Sequence, residues 1–290
     1  DLRMSRGLGD VYKRQNYRHA FHAGNFADCL KHALLVWLLR ALQKKPAGVF
    51  VLDTHAGAGR YDLSSDPAER TGEWRAGIAR LLTSPPPVLA DYVSLVQDCG
   101  LYPGSPVLID ALLRPQDALA CCELHPEDSA ALHRALARKG PESPIAVHRR
   151  DGWEALGALL PPPHHRRALV LIDPPYEAPD EYERLAAGLR LGLRRFPTGV
   201  FAAWYPVKHL APVHALRGAL REAGLRDLVA AQLWLREPLD PARLNGCGLL
   251  VAHPPWGFEA AAQAILAALL ERLGSGEPGQ GIAVERWADE

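Results

Sequence analysis

Residues 168–176 read Ala-Leu-Val-Leu-Ile-Asp-Pro-Pro-Tyr. The stretch begins with uninterrupted apolar residues, and such a run is typical of a strand buried on both faces of a parallel sheet. Pro174 and Pro175 end the strand, because proline cannot donate a ladder hydrogen bond. Asp173 and Tyr176 are therefore placed at the carboxyl end of a buried strand. Ligands bind at that end in open α/β sheets, so the stretch predicts an α/β fold with a functional site.

The tetrad at 173–176 suits one kind of chemistry, the modification of an amine attached to an aromatic ring. The carboxylate of Asp173 and the carbonyl of Pro174 can each accept one N–H from such an amine, which turns its lone pair toward an electrophile. The ring of Tyr176 can stack on the ring that carries the amine, which contributes about 1–3 kcal/mol for an unstacked base. The alternative is a structural strand end, in which Asp173 caps the next helix.

The rest of the chain alternates predicted strands with predicted helices. Apolar segments flanked by turn residues predict further strands at 49–52, 118–122, 145–148, 199–204, 229–235 and 248–252. Apolar residues at helical spacing predict helices at 28–44, 180–195, 212–223 and 259–272. Strands that alternate with helices indicate a parallel, doubly wound sheet. We therefore expect an α/β domain with seven strands.

A glycine turn follows the first predicted strand. Residues 53–59 read Asp-Thr-His-Ala-Gly-Ala-Gly, and an acid followed by glycines at a strand end is the usual opening of a nucleotide-type cofactor site. A lone G-x-G is a weak signal, and no Gly-Lys-Ser/Thr follows that would make it a P-loop. The acid for the ribose hydroxyls normally comes about 20 residues later. The best candidate here is Glu123, which comes much later in the chain than this spacing. Residues 60–104 are therefore predicted to be an inserted helical subdomain.

Two further turns continue the predicted cofactor site. Ser105 precedes Pro106, and this pair is a good start signal for a helix. The backbone amides at the N-terminus of that helix would face the carboxylate of the cofactor, since helix N-termini favour anions. Ser105 is either a ligand contact or an ordinary cap, and the two roles are compatible. Asp151 and Gly152 follow the third strand, where an acid can accept an adenine amine, although a plain Asp-Gly turn fits equally well.

Composition limits the classes of protein that fit. Lysine plus arginine and aspartate plus glutamate both number 33, so no overall charge attracts nucleic acid. Residues 184–226 differ, with eight basic residues and one acid, and form either a phosphate-binding surface or solvated helix faces. Five cysteines without a C-x-x-C motif argue against a disulfide framework or a zinc site and favour a reducing cytosol. We expect no metal, no membrane span and no secretory signal.

The amino-terminal segment divides into a tail and an aromatic arm. Residues 1–16 do not look native, because a stretch within them, Asp-Val-Tyr-Lys-Arg-Gln, back-translates to something resembling a sequencing-library transposon end. We treat this tail as a read artefact or as disordered and exclude it from the fold. The arm at 17–25 is polar, aromatic and basic, so it touches RNA, folds over the pocket or packs as a strap. Asp28 is expected to cap the next helix, with Lys31 and His32 in its first turn, where a ligand can be reached.

A second Pro-Pro motif occurs at 253–256, which reads His-Pro-Pro-Trp. It also follows an apolar strand. However, His253 lacks the carboxylate, and the motif comes three predicted strands after Asp173, toward the expected edge of the sheet. We interpret it as a structural strand end without a catalytic role.

The motifs of the chain, and the order in which they occur, resemble those of the RlmJ family. The members of this family are bacterial methyltransferases that act on adenine N6 of large-subunit ribosomal RNA. The motifs are Asp-Thr-His-Ala-Gly-Ala-Gly-Arg from 53, Glu-Arg-Thr-Gly-Glu from 69, Tyr-Pro-Gly-Ser-Pro from 102, Glu-Leu-His-Pro from 123, Asp-Gly at 151 and Ile-Asp-Pro-Pro-Tyr-Glu from 172. The opening Tyr-Arg-His-Ala-Phe-His-Ala-Gly-Asn from Tyr17 is especially specific. The resemblance runs from there nearly to the end of the chain.

The resemblance implies a class I, Rossmann-like methyltransferase fold with a mostly parallel, seven-stranded sheet. The methyltransferase domain would comprise 17–59 and 105–290, with 60–104 as the inserted helical subdomain. S-adenosylmethionine is the implied methyl donor. Carried over by matching motif, its contacts are His32, His55, Gly57, Ser105, Glu123, Asp151, Gly152 and Asp173. The implied catalytic residues are Asp173, Pro174 and Tyr176, and the implied substrate contact is Tyr17.

The implied reaction is direct methyl transfer to an adenine N6 of 23S ribosomal RNA, adenine-2030 in the family, by a cytoplasmic monomer acting on protein-free or early-assembly RNA. The main alternative is a DNA adenine-N6 methyltransferase, which shares Asp-Pro-Pro-Tyr but usually carries a larger recognition domain. Protein glutamine methylation is less favoured, because that group resembles Asn-Pro-Pro-Tyr. A non-enzymatic RNA-binding module is a third hypothesis, against which the intact acids Asp53, Glu123, Asp151 and Asp173 argue.

Overall fold

The computed structural model of the chain describes residues 19–137 and 144–289. The tail predicted at 1–16 and the expected substrate contact Tyr17 lie outside the described residues. The described part contains ten strands, eight in one main sheet and β2 and β3 in a separate ribbon. The strands are β1 (Phe50–Asp53), β2 (Arg60–Tyr61), β3 (Tyr102–Pro103), β4 (Ala118–Cys122), β5 (Ile145–His148), β6 (Ala168–Ile172), β7 (Val200–Val207), β8 (Leu228–Trp234), β9 (Gly246–Ala252) and β10 (Gly281–Ala288).

The main sheet has the strand order β10-β8-β9-β7-β6-β1-β4-β5. The strands from β5 to β7 in this order are parallel, and β9 runs antiparallel to both β7 and β8. From β1 the chain builds outward through β4 and β5, and later through β6 and β7 on the other side. The order therefore reverses between β1 and β6, and such a reversal opens a crevice at the carboxyl ends of these strands. The predicted α/β class is confirmed.

The main sheet has one strand more than the seven predicted. The additional strand, β10, pairs antiparallel with β8 at the edge of the sheet. Most of its residues are half-buried. Its sequence reads Gly-Ile-Ala-Val-Glu-Arg-Trp-Ala and lacks the long apolar run of the central strands. An edge strand needs only one covered face, which leaves a weaker pattern in the sequence.

Helices cover both faces of the sheet, as expected for a doubly wound fold. Val51 and Leu52, consecutive residues of β1, belong to different hydrophobic clusters, one on each face. Helices α1, α6, α7 and α11 contribute to the first cluster and α8, α9 and α10 to the second. None of the described helices is long and apolar enough to cross a membrane. The α-helices are α1 (Phe26–Gln43), α2 (Asp66–Thr71), α3 (Glu73–Ala76), α4 (Ile78–Thr83), α5 (Ala90–Asp98), α6 (Ser105–Leu112), α7 (Pro126–Ala135), α8 (Gly152–Ala158), α9 (Glu181–Arg195), α10 (Leu210–Glu222) and α11 (Phe258–Leu273).

Helix α1 begins earlier than predicted. Its cap is Asn25, whose side chain accepts the backbone N–H groups of Ala27 and Asp28, both at 3.0 Å. The prediction that Asp28 is the cap is therefore wrong. Asp28 lies in the first turn, is buried, and accepts the backbone N–H of Gly24 at 2.9 Å. Its carboxylate thus faces inward, toward groups on the same helix and in the site.

The segment predicted as an insert, 60–104, contains the ribbon β2–β3 and the short helices α2 to α5. Glu73 ties it to the amino-terminal arm, because Asn25 donates to its Oε2 at 2.9 Å and His22 Nδ1 lies 3.0 Å from its Oε1. Ile78 and Tyr92 belong to the same hydrophobic cluster as α1, so the segment packs on the body of the fold. Its status as a separate subdomain stays a prediction.

Candidate active site

The site begins at the carboxyl end of β1, where Asp53 is fully buried. Ser105 donates its hydroxyl to Asp53 Oδ2 at 2.6 Å. Gly104 rather than Ser105 occupies the cap of α6, so the expected capping role of Ser105 is wrong. Burial raises the pKa of Asp53 to about 7, although the hydroxyl of Ser105 acts in the opposite direction. The nearby charge of Asp173 raises this pKa further, in keeping with the pairing of β1 and β6, which brings their carboxyl ends together.

Asp173 lies directly beyond β6 and is held by a lysine from α1. Lys31 donates from Nζ to Asp173 Oδ2 at 2.5 Å and lies 3.0 Å from Asp28 Oδ1. The lysine is 5% exposed. Burial alone would lower the pKa of Lys31, but the carboxylates of Asp173 and Asp28 outweigh it and hold the pKa well above its usual value. Lys31 is therefore a cation that binds two acids in the wall of the site.

The sequence placed Lys31 within reach of a ligand but assigned it no role in the site. The spacing of Asp28 and Lys31 places both on one helix face, which indicates a local ion pair. The contact with Asp173 joins residues 142 positions apart and has no counterpart in any local pattern. The sequence therefore indicates the pair of Lys31 with Asp28 but not the contact of Lys31 with Asp173.

Two histidines that were predicted as cofactor contacts, His32 and His55, are neutral groups. His32 is fully buried, and its Nδ1 lies 3.0 Å from the hydroxyl of Tyr102. Burial lowers the pKa of His32 to about 3 and that of His55 to about 4. Among the described residues, the buried Nε2 of His32 has no hydrogen-bond partner. A buried polar atom of this kind is expected to meet a ligand or a water.

Asp151 and Gly152 join the end of β5 to α8. Asp151 caps this helix, and its Oδ1 accepts the backbone N–H of Trp153 at 2.7 Å. Asp151 and Gly152 therefore form a helix start rather than a plain turn, and Oδ2 of the same carboxylate is left for other contacts. A Cβ added to Gly152 would lie 2.0 Å from the carbonyl oxygen of Thr54. Only glycine allows this close approach between the ends of β1 and β5.

Gly57 and Glu123 are brought together as predicted. The backbone N–H of Gly57 donates to Glu123 Oε2 at 2.9 Å, and that of His125 donates to Oε1 at 2.7 Å. Gly57 has a φ of 63°, and a Cβ there would lie 2.3 Å from the hydroxyl of Tyr61. Burial raises the pKa of Glu123, while the two backbone donors act against that effect. The acid is therefore fixed against the glycine turn.

Tyr176 ends the Pro-Pro motif and has a fixed orientation. Its φ is 52°, a strained value for a non-glycine residue. Its hydroxyl donates to the carbonyl of Trp204 at 2.9 Å, and its ring makes edge contacts with Trp204 and Tyr182 at centroid distances of 5.6 and 5.1 Å. Pro174 is buried beside it. These contacts fix the orientation of the aromatic ring.

Comparison with known proteins gives the family. The family described as ribosomal RNA large subunit methyltransferase D, RlmJ, matches residues 46–288, which is more than half of the chain. The chain belongs to the RlmJ family. Two relatives named ribosomal RNA large subunit methyltransferase J agree with this result. The protein of Escherichia coli (strain K12) is 39% identical over 266 residues, which cover 89% of this chain and 94% of the relative. That of Haemophilus influenzae (strain ATCC 51907 / DSM 11121 / KW20 / Rd) is 38% identical over 267 residues, with the same two coverages.

A solved structure is similar to nearly the whole of this chain. The crystal structure of protein LPL1258 from Legionella pneumophila str. Philadelphia 1 has a TM-score of 0.82 to this chain at 33% identity. The match covers 91% of this chain and 98% of that one. The family resemblance deduced from the motifs is therefore confirmed. The roles of individual site residues stay predictions.

The second Pro-Pro motif lies at the opposite end of the RlmJ sheet. His253 follows β9, which runs antiparallel to β7, so it is far from the carboxyl ends of β1 and β6. Its Nδ1 lies 3.1 Å from the carbonyl oxygen of Gly199. As expected, the motif lies away from the switch point between β1 and β6, although β9 is an inner strand between β7 and β8 and not an edge strand. Within 19–137 and 144–289, no group of His, Cys, Asp and Glu side chains is arranged to hold a metal ion.

Proposed function

We propose that this chain transfers a methyl group from S-adenosylmethionine to N6 of an adenine in 23S ribosomal RNA. The observation that carries the proposal is the ion pair of Lys31 with Asp173 at the end of β6, directly before Pro-Pro-Tyr. Both named relatives are ribosomal RNA large subunit methyltransferases, which supports the same class of reaction and substrate.

The donor would be held by residues at the ends of β1, β4, β5 and β6, together with His32 on α1 and Ser105 at the start of α6. Asp151 Oδ2 is an acceptor for an adenine amine, Glu123 for ribose hydroxyls, and the buried Nε2 of His32 is a partner for a polar group of the amino-acid end. The set also includes His55, Gly57, Ser105, Gly152 and Asp173. These residues fit the group chemically, since they offer acceptors, a neutral imidazole and close backbone approach. The sulfonium supplies an already activated methyl group.

Asp173 and Pro174 would orient the target amine. Lys31 occupies Oδ2 of Asp173, which leaves Oδ1 to accept one N–H of the adenine amine. The carbonyl of Pro174 accepts the other N–H, and the lone pair then points toward the methyl group. Since the amine loses its proton readily once it is methylated, Asp173 needs to be an acceptor rather than a strong base. The chain thus contributes mainly positioning and fixed dipoles.

The target adenine must leave its stack to reach Asp173, at a cost of a few kcal/mol. A loosened or single-stranded base in RNA lowers this cost. Tyr17 belongs to the amino-terminal arm but lies outside the described residues, and it is proposed as a substrate contact. Exposed basic residues between 194 and 226, which include Lys208, are proposed to follow RNA phosphates. We further propose a monomer that acts in the cytoplasm on protein-free or early-assembly RNA.

Replacing Tyr176 with alanine is expected to lower kcat/KM for RNA about 10- to 100-fold, because a stacked ring contributes about 1–3 kcal/mol per base. Tyr176→Phe keeps the ring and loses only the hydrogen bond to Trp204, so its effect should be smaller. Steady-state kinetics with RNA and calorimetry with the donor product measure the two effects. Tyr182→Phe, which removes a similar hydrogen bond to Pro206, is the control. A loss of donor affinity as large as the kinetic loss would contradict the stacking role.

Transfer of tritium from labelled donor tests the function itself. We expect incorporation into 23S ribosomal RNA, with the label recovered as N6-methyladenosine after digestion. Duplex DNA tested at the same concentration should accept no label. Preferential labelling of DNA would establish the DNA methyltransferase alternative instead, and failure to bind the donor would support a non-enzymatic RNA-binding module.

A further inference from the structure

Arg184, on α9, connects the helix that follows the Pro-Pro-Tyr motif to the turn at the end of β5. Its Nη1 donates to Glu181 Oε1 at 2.9 Å, and its Nη2 lies 3.9 Å from Asp151 Oδ2. Its guanidinium carbon lies 5.2 Å from the centroid of the Trp153 ring. One side chain therefore contacts three groups from two different elements.

The two oxygens of Asp151 have different surroundings. Oδ1 is used by the cap of α8, since it accepts the backbone N–H of Trp153 at 2.7 Å. Oδ2 faces Arg184 at a distance that allows attraction between charges but is too long for a hydrogen bond. Oδ2 can therefore still accept an N–H from a ligand, in a position stabilised by the neighbouring positive charge.

The ring of Trp153 is held on three sides. Gly188 leaves a notch for it on α9, because a Cβ at Gly188 would lie 2.7 Å from Trp153 Cζ3. His55 meets the ring edge-on at a centroid distance of 5.3 Å, and Arg184 covers a face. A guanidinium over an aromatic face is attracted by the ring quadrupole. The indole thus joins Arg184 to a histidine of the donor site.

Glu181 keeps Arg184 in this position. It is 4% exposed, so its carboxylate is a buried anchor at the first turn of α9. The arginine itself is partly exposed, with 39% of its side chain accessible. A charge-assisted hydrogen bond to a buried partner restricts an arginine that would otherwise sample many rotamers. Glu181 therefore holds the guanidinium beside Asp151 and Trp153.

We infer that Arg184 is a positioning residue for the adenine end of the methyl donor, acting through Asp151 and Trp153 rather than on the transferred methyl group. It holds Oδ2 of Asp151 where an exocyclic amine can donate to it. It also fixes the indole of Trp153, which packs against His55. The inference rests on the proposed function only in requiring an adenosyl ligand.

Calorimetry with two ligands tests this role. S-adenosylhomocysteine contains both ends of the donor, whereas 5′-methylthioadenosine contains the adenosine end without the amino acid. Arg184→Ala should raise the Kd for both ligands by a similar factor of about three to ten, the size expected for one partly exposed ion pair and one cation–π contact. Arg184→Lys keeps the charge but loses the planar face, so its Kd should lie between those of wild type and the alanine variant.

Arg190→Ala is the matched control, since Arg190 is an exposed arginine on the same helix. Because Arg184→Ala leaves the buried carboxylate of Glu181 without its partner, the ligand-free melting temperatures of both variants are measured first and calorimetry is run well below them. In steady state, KM for the donor should rise while kcat at saturating donor stays unchanged. Equal ligand affinities of Arg184→Ala and Arg190→Ala would overturn the inference, as would a loss confined to S-adenosylhomocysteine. If wild type binds both ligands but labels no RNA, the proposed function fails while this inference stands.

Discussion

Replacing Asp173 with asparagine is expected to slow methyl transfer by at least about 100-fold, comparable to removing one positioned hydrogen-bonding group from a catalytic site. Asparagine has nearly the same shape as aspartate, and its amide oxygen can still accept a hydrogen bond from the ammonium of Lys31. Its amide nitrogen then replaces the oxygen that should accept the adenine amine. Two donors would face each other, so the lone pair of the amine could not be oriented. A single-turnover assay with labelled donor and 23S ribosomal RNA measures this rate.

The matched control for this variant is Asp180→Asn, an exposed aspartate in the segment between the same motif and α9. It should leave the rate unchanged. Since Asp173 is also a proposed donor contact, the assay needs a donor concentration that saturates the variant, as established by calorimetry. A single-turnover rate for Asp173→Asn equal to that of Asp180→Asn would show that the carboxylate does not orient the amine.

The central part of the fold could be predicted because its strands are buried on both faces. Residues 168–172 form β6, and all five are buried, which is the condition that produces an uninterrupted apolar run. The position of Asp173 at the end of this strand followed from the two prolines behind it. The pairing of β6 with β1 then places Asp173 near the end of β1. A buried parallel sheet thus leaves a strong trace in sequence, and the strand ends indicate where the site lies.

Other features depend on contacts between distant residues and left no such trace. Ser105 has the sequence context of a helix cap, yet its hydroxyl donates to Asp53 at the end of β1. Asp28 also resembles a cap, but Asn25 takes that position and Asp28 turns inward to Lys31. In both cases local propensity identified the helix start to within a few residues. The choice of partner was made by the tertiary environment.

The buried position of Lys31 explains why the largest stability effect is expected there. Lys31→Met keeps a side chain of similar length but removes the cation between Asp28 and Asp173, whose side chains are 3% and 15% exposed. Breaking a buried ion pair by removing one partner costs about 3–5 kcal/mol, because the remaining charge is left buried without compensation. We therefore expect the free energy of unfolding at pH 7 to fall by about this amount, as measured by urea denaturation.

The loss should depend on pH in a defined direction. In the wild type the pKa of Asp28 lies well below its usual value, because the charges of His19 and Lys31 outweigh burial. A depressed carboxyl pKa stabilises the fold at pH values above the unfolded pKa, and the contribution is lost as the pH falls through the folded value. Without Lys31 part of this contribution is absent at pH 7. The difference in stability between wild type and Lys31→Met should therefore narrow as the pH falls below about 4.

A second substitution separates the ion pair from other effects of losing the lysine. Adding Asp173→Asn to Lys31→Met removes a stranded carboxylate, so the double variant should be more stable than Lys31→Met alone. The coupling energy from the double-mutant cycle should then be favourable, in the range of about 0.5–3 kcal/mol found for contacting residues. Lys44→Met, at an exposed lysine just after α1, should leave stability unchanged. If Lys31→Met unfolds at the same urea concentration as Lys44→Met, Lys31 and the two acids do not stabilise the site.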